Sequence, residues 1–368
     1  MLWKNDIYKG EKLDIRGVVM SIIKNKNKLI YGSKTLWSRL LKSVMSFVEN
    51  KNKLSVELTD IEVDVSEMIN IKDSRVVYIN GAGKLREVRK EVKNLKNGYL
   101  SQIRLNNVPL IQMNKEYIPT IESLLATGYG IENANCKEIL EIQGKINSDF
   151  ISLENSIKTM TPLLKLLDNG FYMIADAECY PTDGNGNFFW NVPNKLTDSP
   201  ATGLAYLRDS DTYCVFNQPV YLYPTQTTDC YDEKRVKYYI DKFNNTDNNE
   251  PRAIVYNFGG FINFIIDGHH KACAAALLGK TLKCLLIIKG EYSRNYGENN
   301  QIYLKFLNSE IKKEDIPIKY QPFLKEKKKN WGSIIINEGT VNKRKWEDKY
   351  INSAKKYPSI LEYAIKVD

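Results

Sequence analysis

The clearest pattern of hydrophobic and polar positions lies in the second half of the chain, between residues 212 and 289. Residues 232–243 predict an amphipathic helix, because apolar side chains recur at the i, i+3, i+4 and i+7 positions of one face (Val236, Tyr239, Ile240 and Phe243). Asp229 precedes this segment as a candidate N-cap. Asp232 stands three positions later, in the capping-box place.

Strand-like segments surround that predicted helix. The run "TYCVFNQPVYLYPT" is rich in β-forming residues and carries Pro219, which indicates an edge strand or a break. The runs "AIVYNF" and "FINFIID" predict a hairpin around a Gly-Gly turn. An alanine-rich helix that ends at Gly279 follows, and "LKCLLII" is apolar enough to form a central strand.

The first 165 residues mix helical and strand spacing and predict a separate N-terminal α/β region. We expect a helix at Leu36–Asn50, a strand, glycine turn and helix within Arg75–Val92, and a helix within Phe150–Gly170 that Asn169-Gly170 terminates. Residues 171–193 predict two strands around "TDGNGN", a hairpin turn rather than a calcium loop, whose late glutamate is missing. From Glu291 to residue 368 the spacing predicts a helical extension with basic patches.

Composition places the chain among globular proteins. Of its 368 residues 43% are hydrophobic, and no apolar run approaches the roughly 18 residues of a membrane span. Met1 is followed by a polar segment rather than a signal-peptide core, so we expect a cytoplasmic protein without a membrane partner. The six cysteines lack zinc-ligand spacing and predict free thiols. The net charge of +9 is spread along the chain, which gives little support to nucleic-acid binding.

Both histidines of the chain stand together, at the predicted junction between strand and helix in "IIDGHHKACAAALL". The first amides of a helix lack intrahelical partners and carry the positive end of its dipole, which makes this end a binding site for anions, phosphate above all. Gly268 leaves room for a phosphate, while His269, His270 and Lys271 add donors. Asp267 can hold a metal ion beside the phosphates or orient an imidazole. The alternative is that these residues only cap the helix.

The order of elements from about residue 213 to 290 resembles the core of the ParB/sulfiredoxin superfamily. The resemblance rests on "PVYLYPT", "DEKRVKYYIDKF" and "FIIDGHHKACAAALLGKTLKCLLII", and the DGHH spelling is similar to the free-serine-kinase-like branch. It implies an α+β fold, with a ParB/sulfiredoxin-like mixed α/β domain at residues 171–290, the N-terminal α/β region at 1–165 and the helical extension at 291–368.

The resemblance also implies a nucleotide site. Phosphates of ATP, ADP or CTP would lie on the residues from Asp267 to Lys271, with Mg²⁺ near Asp267, and His269 and His270 would stabilise the transferred phosphoryl group. An acidic residue near the first helix would accept the proton of a small hydroxyl-bearing substrate. We choose Glu233 for this role, with Asp229 and Asp232 as alternates for the base or the metal ligand.

The sequence departs from the family pattern at several positions. Lys271 stands where the family has an arginine, which keeps the charge but loses the bidentate fork. Gly268 stands where sulfiredoxins have their cysteine, which argues against peroxiredoxin repair. Three hypotheses remain open: a nucleotide-dependent phosphotransferase or nucleotide hydrolase, a nucleotide-sensing or DNA-associated module, and a scaffold without ligand. The oligomeric state is left open.

Overall fold

The structure is a computed structural model that describes residues 54–66, 68, 70–91, 99–106, 108–115, 123–126, 136–181, 221–226, 230–245, 249–258, 262–295 and 301–324. All of them lie in the unit Leu54–Asp368. They form a mixed α+β fold, which confirms the predicted class. No helix among them is both long and apolar enough to cross a membrane.

The helices and strands follow one another in a mixed order along the chain. The helices are α1 Lys137–Ile146, α2 Leu153–Leu164, α3 Glu233–Asn245 and α4 His269–Leu278, and short 3-10 turns cover Lys313–Asp315 and Gln321–Phe323. The strands are β1 Ser55–Leu58, β2 Ile71–Asn80, β3 Leu85–Glu91, β4 Tyr99–Leu105, β5 Val108–Lys115, β6 Ser123–Ala126, β7 Gly170–Cys179, β8 Tyr221–Tyr223, β9 Ala253–Phe258, β10 Ile262–Asp267, β11 Leu282–Lys289, β12 Glu291–Asn295, β13 Gln301–Phe306 and β14 Ser309–Lys312.

A seven-stranded mixed sheet with the order β1-β2-β7-β11-β9-β10-β8 carries the fold. Its strands pair antiparallel except at two places, where β11 lies parallel to β9 and β10 lies parallel to β8. β11 lies between β7 and β9, and its side chains from Cys284 to Ile288 are buried. Strands β3 to β6 and strands β12 to β14 form two further antiparallel sheets.

Several local predictions in the second half of the chain are confirmed. The hairpin is the antiparallel pair β9–β10, the apolar run "LKCLLII" forms the central strand β11, and β8 lies at the edge of the described sheet. Gly279 ends α4 with a φ of 66°, a left-handed conformation that glycine adopts readily. Patterns rich in β-branched and aromatic residues were therefore reliable where the strands lie in the buried sheet.

The prediction of a helix after the glycine turn at residues 81–83 was wrong. Leu85 and Val88 have helical spacing, but Leu85–Glu91 is strand β3, paired with β4 from Leu85 opposite Leu105 to Glu91 opposite Tyr99. A long-range strand ladder outweighs this weak local preference. Helix α2 ends at Leu164, before the predicted stop at Asn169-Gly170. Asn169 instead directly precedes the first residue of β7.

The predicted helical extension from Glu291 was also wrong for its described part. Residues 291–312 form the three-stranded antiparallel sheet β12-β13-β14, in which Leu304 and Phe306 of the middle strand are buried. Side chains of one strand face alternate sides, and this spacing of two fits a strand better than a helix. The predicted basic helices beyond Leu324 lie outside the described residues.

The main sheet also crosses the predicted boundary between residues 165 and 171. β1 and β2 come from the presumed N-terminal region, yet β2 pairs with β7 along its length, from Ile71 opposite Ala177 to Ile79 opposite Gly170. The region therefore supplies part of the same sheet, and it also supplies α1 and α2. The predicted helix Leu36–Asn50 and the second strand of the "TDGNGN" hairpin lie outside the described residues.

A buried ion pair ties β7 to the start of β9 across the central strand β11. Arg252 donates from Nε to Asp176 Oδ1 at 2.9 Å and from Nη2 to Asp176 Oδ2 at 3.0 Å. This bidentate geometry is among the strongest of charge-assisted hydrogen bonds. The guanidinium also lies 3.7 Å from the centre of the Phe150 ring, so that an aromatic side chain covers it.

Candidate functional site

The candidate site begins where β10 ends at Asp267 and α4 begins at His269. Gly268 between them has a φ of 112°, a backbone conformation that residues other than glycine rarely adopt. A Cβ atom at this position would lie 2.7 Å from Ala253 Cβ of β9. Gly268 is therefore required for a tight turn against the sheet, a constraint additional to the phosphate access that the sequence indicated.

Helix α4 is buried over most of its length. His269 to Ala276 are all buried, and the helix contacts α3, β9 and β11. The small side chains of the alanine run allow this close packing, as predicted. The first hydrogen bond within the helix joins Ala272 N to Gly268 O at 2.9 Å, so the amides before Ala272 belong to the helix end that faces the cleft described below.

His269 accepts hydrogen bonds from the backbone that follows β8. Its Nε2 atom accepts from Thr225 N at 3.0 Å and from Gln226 N at 3.3 Å, while the Thr225 hydroxyl donates to Ile265 O at 2.9 Å. Burial, and to a smaller extent the adjacent His270, lowers the pKa of His269 to about 3. At neutral pH the imidazole is uncharged, and at Nε2 it acts as an acceptor rather than the anion donor that we expected.

His270 contacts the same connection between β8 and α3. Its Nε2 atom accepts from Asp232 N at 3.2 Å, and its ring also donates to the backbone of Cys230. Burial, and next the positive charge of Arg235, lowers the pKa of His270 to about 4, although Asp232 and Asp267 oppose this effect. The two histidines therefore hold the β8–α3 connection against the start of α4.

Lys271 points into the protein, not toward an anion in solvent. Its side chain is fully buried, and Nζ donates to Arg252 O at 2.9 Å. Nζ also lies 3.5 Å from Asp267 Oδ2 and 5.8 Å from the centre of the Tyr239 ring. Burial lowers the pKa of Lys271, and the carboxylate of Asp267 opposes this decrease. The expected role of Lys271 as a direct phosphate ligand does not fit this orientation.

Asp267 is the carboxylate at the end of β10. Its Oδ2 atom is buried, lies 3.5 Å from the ammonium of Lys271 and has no standard hydrogen-bond partner among the described residues. A buried oxygen in this state is costly unless a ligand or ion compensates it. The ammonium of Lys271 compensates part of this cost, and Asp267 also brings a carboxylate to the lining of the cleft described below.

A cleft of about 440 Å³ opens beside this corner. Pockets for small molecules in proteins commonly have volumes of about 300 to 1,000 Å³. The lining residues come from α1, the β8–α3 connection, α3 and the corner itself: Gln143, Gly144, Asn147, Gln226, Cys230, Arg235, Tyr239, Ile266, Asp267, Gly268, His269 and His270. The end of α4 that carries the positive dipole is thus part of a cavity wall.

Arg235 is the cationic side chain of this lining, and the sequence interpretation missed it. It stands on α3 one turn before Tyr239, and within the part of the chain that the structure describes it forms no ion pair. Burial raises the pKa of Tyr239 to about 12, Asp267 adds to the increase, and the charge and hydrogen bond of Arg235 oppose it. The only signal in the sequence was the position of Arg235, one helical turn before Tyr239 of the apolar face.

Helix α1 and the residue that follows it supply another part of the cleft wall. Gln143, Gly144 and Asn147 line it, and the Tyr239 hydroxyl donates to Asn147 Oδ1 at 3.0 Å. A second link joins Lys242 Nζ of α3 to Asp149 Oδ1 at 2.6 Å. Residues from the predicted N-terminal region therefore take part in the site, although no motif marked them.

The proposed base Glu233 lies away from the cleft. It is the first residue of α3, its side chain is exposed, and it is not among the lining residues. Asp232 caps α3, because its Oδ1 atom accepts from Lys234 N at 2.9 Å and from Arg235 N at 3.2 Å. Asp232 itself is thus the cap that we assigned to Asp229, which lies outside the described residues.

The described residues contain no group of three or more histidine, cysteine or acidic side chains that could hold a metal ion. Mg²⁺ usually keeps several waters and needs only one or two carboxylates, and Asp267 is the carboxylate among the residues that line the cleft. Cys273 lies inside α4, where burial raises its pKa to about 12 and disfavours a reactive thiolate.

Comparison with known proteins gives no match for this chain: none is found to a family model, to a curated protein or to a solved structure.

Proposed function

We propose that the cleft binds the phosphate groups of a nucleotide and that the protein is a nucleotide-dependent phosphotransferase or nucleotide hydrolase. The observation that carries this proposal is one cavity that combines the N-terminal end of α4, the cation Arg235 and the carboxylate Asp267. A helix N-terminus with a nearby arginine is a suitable binding site for an anion, and arginine suits the geometry of phosphate.

The order of elements supports a ParB/sulfiredoxin-like core. From Tyr221 to Lys289 the chain runs strand, helix, two strands, helix and strand, and Pro224 follows the first strand. This is the order expected from the resemblance in the sequence. The proposed phosphate site differs from that expectation in its side chains, since Arg235 takes the role that we gave to His269, His270 and Lys271.

In the proposed reaction, a hydroxyl group of a small molecule attacks the terminal phosphorus of the nucleotide, its proton passes to a carboxylate, and the bond to the leaving phosphate breaks. Positioning and charge stabilisation supply most of the catalysis in such transfers. Arg235 would stabilise the negative charge of the phosphates, and Asp267 would accept the proton or contact the magnesium ion that accompanies them. Magnesium would neutralise the phosphate charge.

A second candidate is a nucleotide-sensing module without phosphoryl transfer. The observation that favours it is the position of the acidic groups: Glu233 is exposed, and Asp267 is within 3.5 Å of the buried ammonium of Lys271. This module would bind a nucleotide without consuming it. Association with DNA would appear as duplex binding with a steep salt dependence.

The decisive experiment is calorimetric titration of the full chain with ATP, ADP and CTP in the presence of magnesium, for wild type and for Arg235→Ala. We expect at least one nucleotide to bind wild type, with about 10-fold or more weaker binding to the variant, because a charged hydrogen bond contributes about 1.5 to 3 kcal/mol. This variant separates binding from folding better than replacement of the histidines, whose rings hold the backbone.

Lys237→Ala is the matched control. Lys237 is an exposed cation on the same helix and does not line the cleft, so the two variants have the same net charge. Equal affinities of these variants, or no binding to wild type at millimolar nucleotide, would reject the phosphate site. For the chemistry, phosphorus NMR of nucleotide mixed with hydroxyl-bearing small molecules distinguishes turnover from the sensing function.

A further inference from the structure

The wall of the cleft that α1 supplies is uncharged and polar. Gln143, Gly144 and Asn147 line it, and Lys145 of the same helix lines a different, much smaller cavity. Arg235, Asp267 and the end of α4 come from the other elements of the lining. The lining thus combines charged groups from α3 and the corner with uncharged polar groups from α1, and these two sets suit different parts of one ligand.

We propose that the α1 wall binds the hydroxyl-bearing nucleoside part of the ligand whose phosphates lie at Arg235 and α4. This inference rests on the proposed nucleotide site and deepens it, because it assigns specificity to Gln143 and Gly144. Both residues lie far outside the segment that resembles the ParB/sulfiredoxin core, so the resemblance assigns them no role.

Gln143 is the side chain of this wall that can recognise hydroxyl groups. Its amide has no hydrogen-bond partner among the described residues and is partly buried in the cleft lining. Asn147 is already engaged, since its Oδ1 atom accepts from Tyr239 and its Nδ2 atom donates to Gln143 O at 2.8 Å. An amide offers one acceptor and two donor hydrogens, which matches sugar hydroxyls and needs no charge on the ligand.

Gly144 gives this wall its space. A Cβ atom on Gly144 would meet no other atom within 4 Å, although this residue lies inside α1, where alanine is the better helix former. No packing contact within the described residues therefore requires glycine here. The missing side chain leaves room next to Gln143 in a cleft whose volume already admits more than a phosphate group.

The test compares two ligands and two variants on the full chain. The ligands are the nucleotide that wild type binds best and inorganic triphosphate, both with magnesium. Gly144→Trp fills the space beside the α1 wall, and we expect about 10-fold or more weaker nucleotide binding with unchanged binding of triphosphate. Gln143→Ala should weaken nucleotide binding about 3- to 10-fold and leave triphosphate binding unchanged.

Leu140→Trp is the control, because Leu140 is on the same helix, is 64% exposed and does not line the cleft. Equal nucleotide affinity of wild type and Gly144→Trp, or a parallel loss of both ligands in Gly144→Trp, would overturn the inference. Binding of triphosphate without any preference for a nucleotide would overturn it while leaving the phosphate site intact. Failure of wild type to bind either ligand would reject the proposed function itself.

Discussion

His269 and His270 are buried, and each accepts hydrogen bonds from backbone amides at Nε2. Protonation of either Nε2 atom would remove the acceptor for Thr225 N or Asp232 N. The sequence marked the corner as a candidate anion site with both histidines as donors, and it gave no sign that their Nε2 atoms accept from the backbone. It could not have done better, because the amides come from a segment about 40 residues earlier in the chain.

The pKa values predict that the protein becomes less stable as the pH falls below about 6.5. The folded pKa values are about 3 for His269 and about 4 for His270, whereas both are near 6.5 in the unfolded chain. Between these values the unfolded state binds protons that the folded state does not. The free energy of unfolding should therefore fall, with a slope approaching about 1.4 kcal/mol per pH unit for each histidine.

Urea unfolding between pH 7 and pH 4.5 measures this slope. His270→Gln keeps an acceptor and removes one titrating group. The dependence of its unfolding free energy on pH should therefore be less steep than that of wild type, by up to about 1.4 kcal/mol per pH unit. Identical slopes in the two proteins would show that His270 does not titrate as described.

At the scale of elements, helix α4 combines a run of small alanine side chains with the fully buried Lys271. The alanine run predicted close packing of this helix against the sheet, and its buried residues agree. The direction of Lys271 could not be predicted, because it depends on Arg252 O, a carbonyl that β9 brings beneath the helix. Strand β3 was mispredicted for the same reason, since β4 decides its conformation.

Lys271→Met should destabilise the protein by about 3 to 5 kcal/mol, because it leaves the buried oxygen of Asp267 without its cation. Adding Asp267→Asn to the Lys271→Met variant removes the uncompensated charge. The double variant should therefore be more stable than the sum of the two single effects predicts, by about 1 kcal/mol or more. Denaturant unfolding of the four proteins measures this coupling, and strictly additive effects would argue against the ion pair.

At the scale of the whole molecule, the sheet joins segments that the sequence separated. The predicted domain 171–290 contains β7 to β11, but β2 pairs along the length of β7 and α1 forms one wall of the cleft. Pairing between strands about 100 residues apart in the chain leaves no trace in local periodicity. The class of fold and the corner were predictable, whereas the extent of the sheet and the second wall were not.

A fragment that spans residues 171–290 should therefore not fold cooperatively. Without β2 it exposes the backbone edge of β7, and without α1 and α2 it exposes buried apolar surface. A fragment that spans residues 54–324 keeps these elements and should unfold in one transition. Far-UV circular dichroism during denaturation compares them, and cooperative unfolding of the shorter fragment would support the predicted domain boundary.

Several contacts hold the elements that line the cleft. Arg252 is shared by two buried charged contacts, since its guanidinium holds Asp176 of β7 and its carbonyl holds Lys271 of α4. The links from Tyr239 to Asn147 and from Lys242 to Asp149 join α3 to the segment that follows α1. The proposed ligand would therefore meet lining elements that these contacts already hold in position. Preorganisation of this kind spares the entropy of ordering side chains, so binding should show little of the heat-capacity change that accompanies coupled folding.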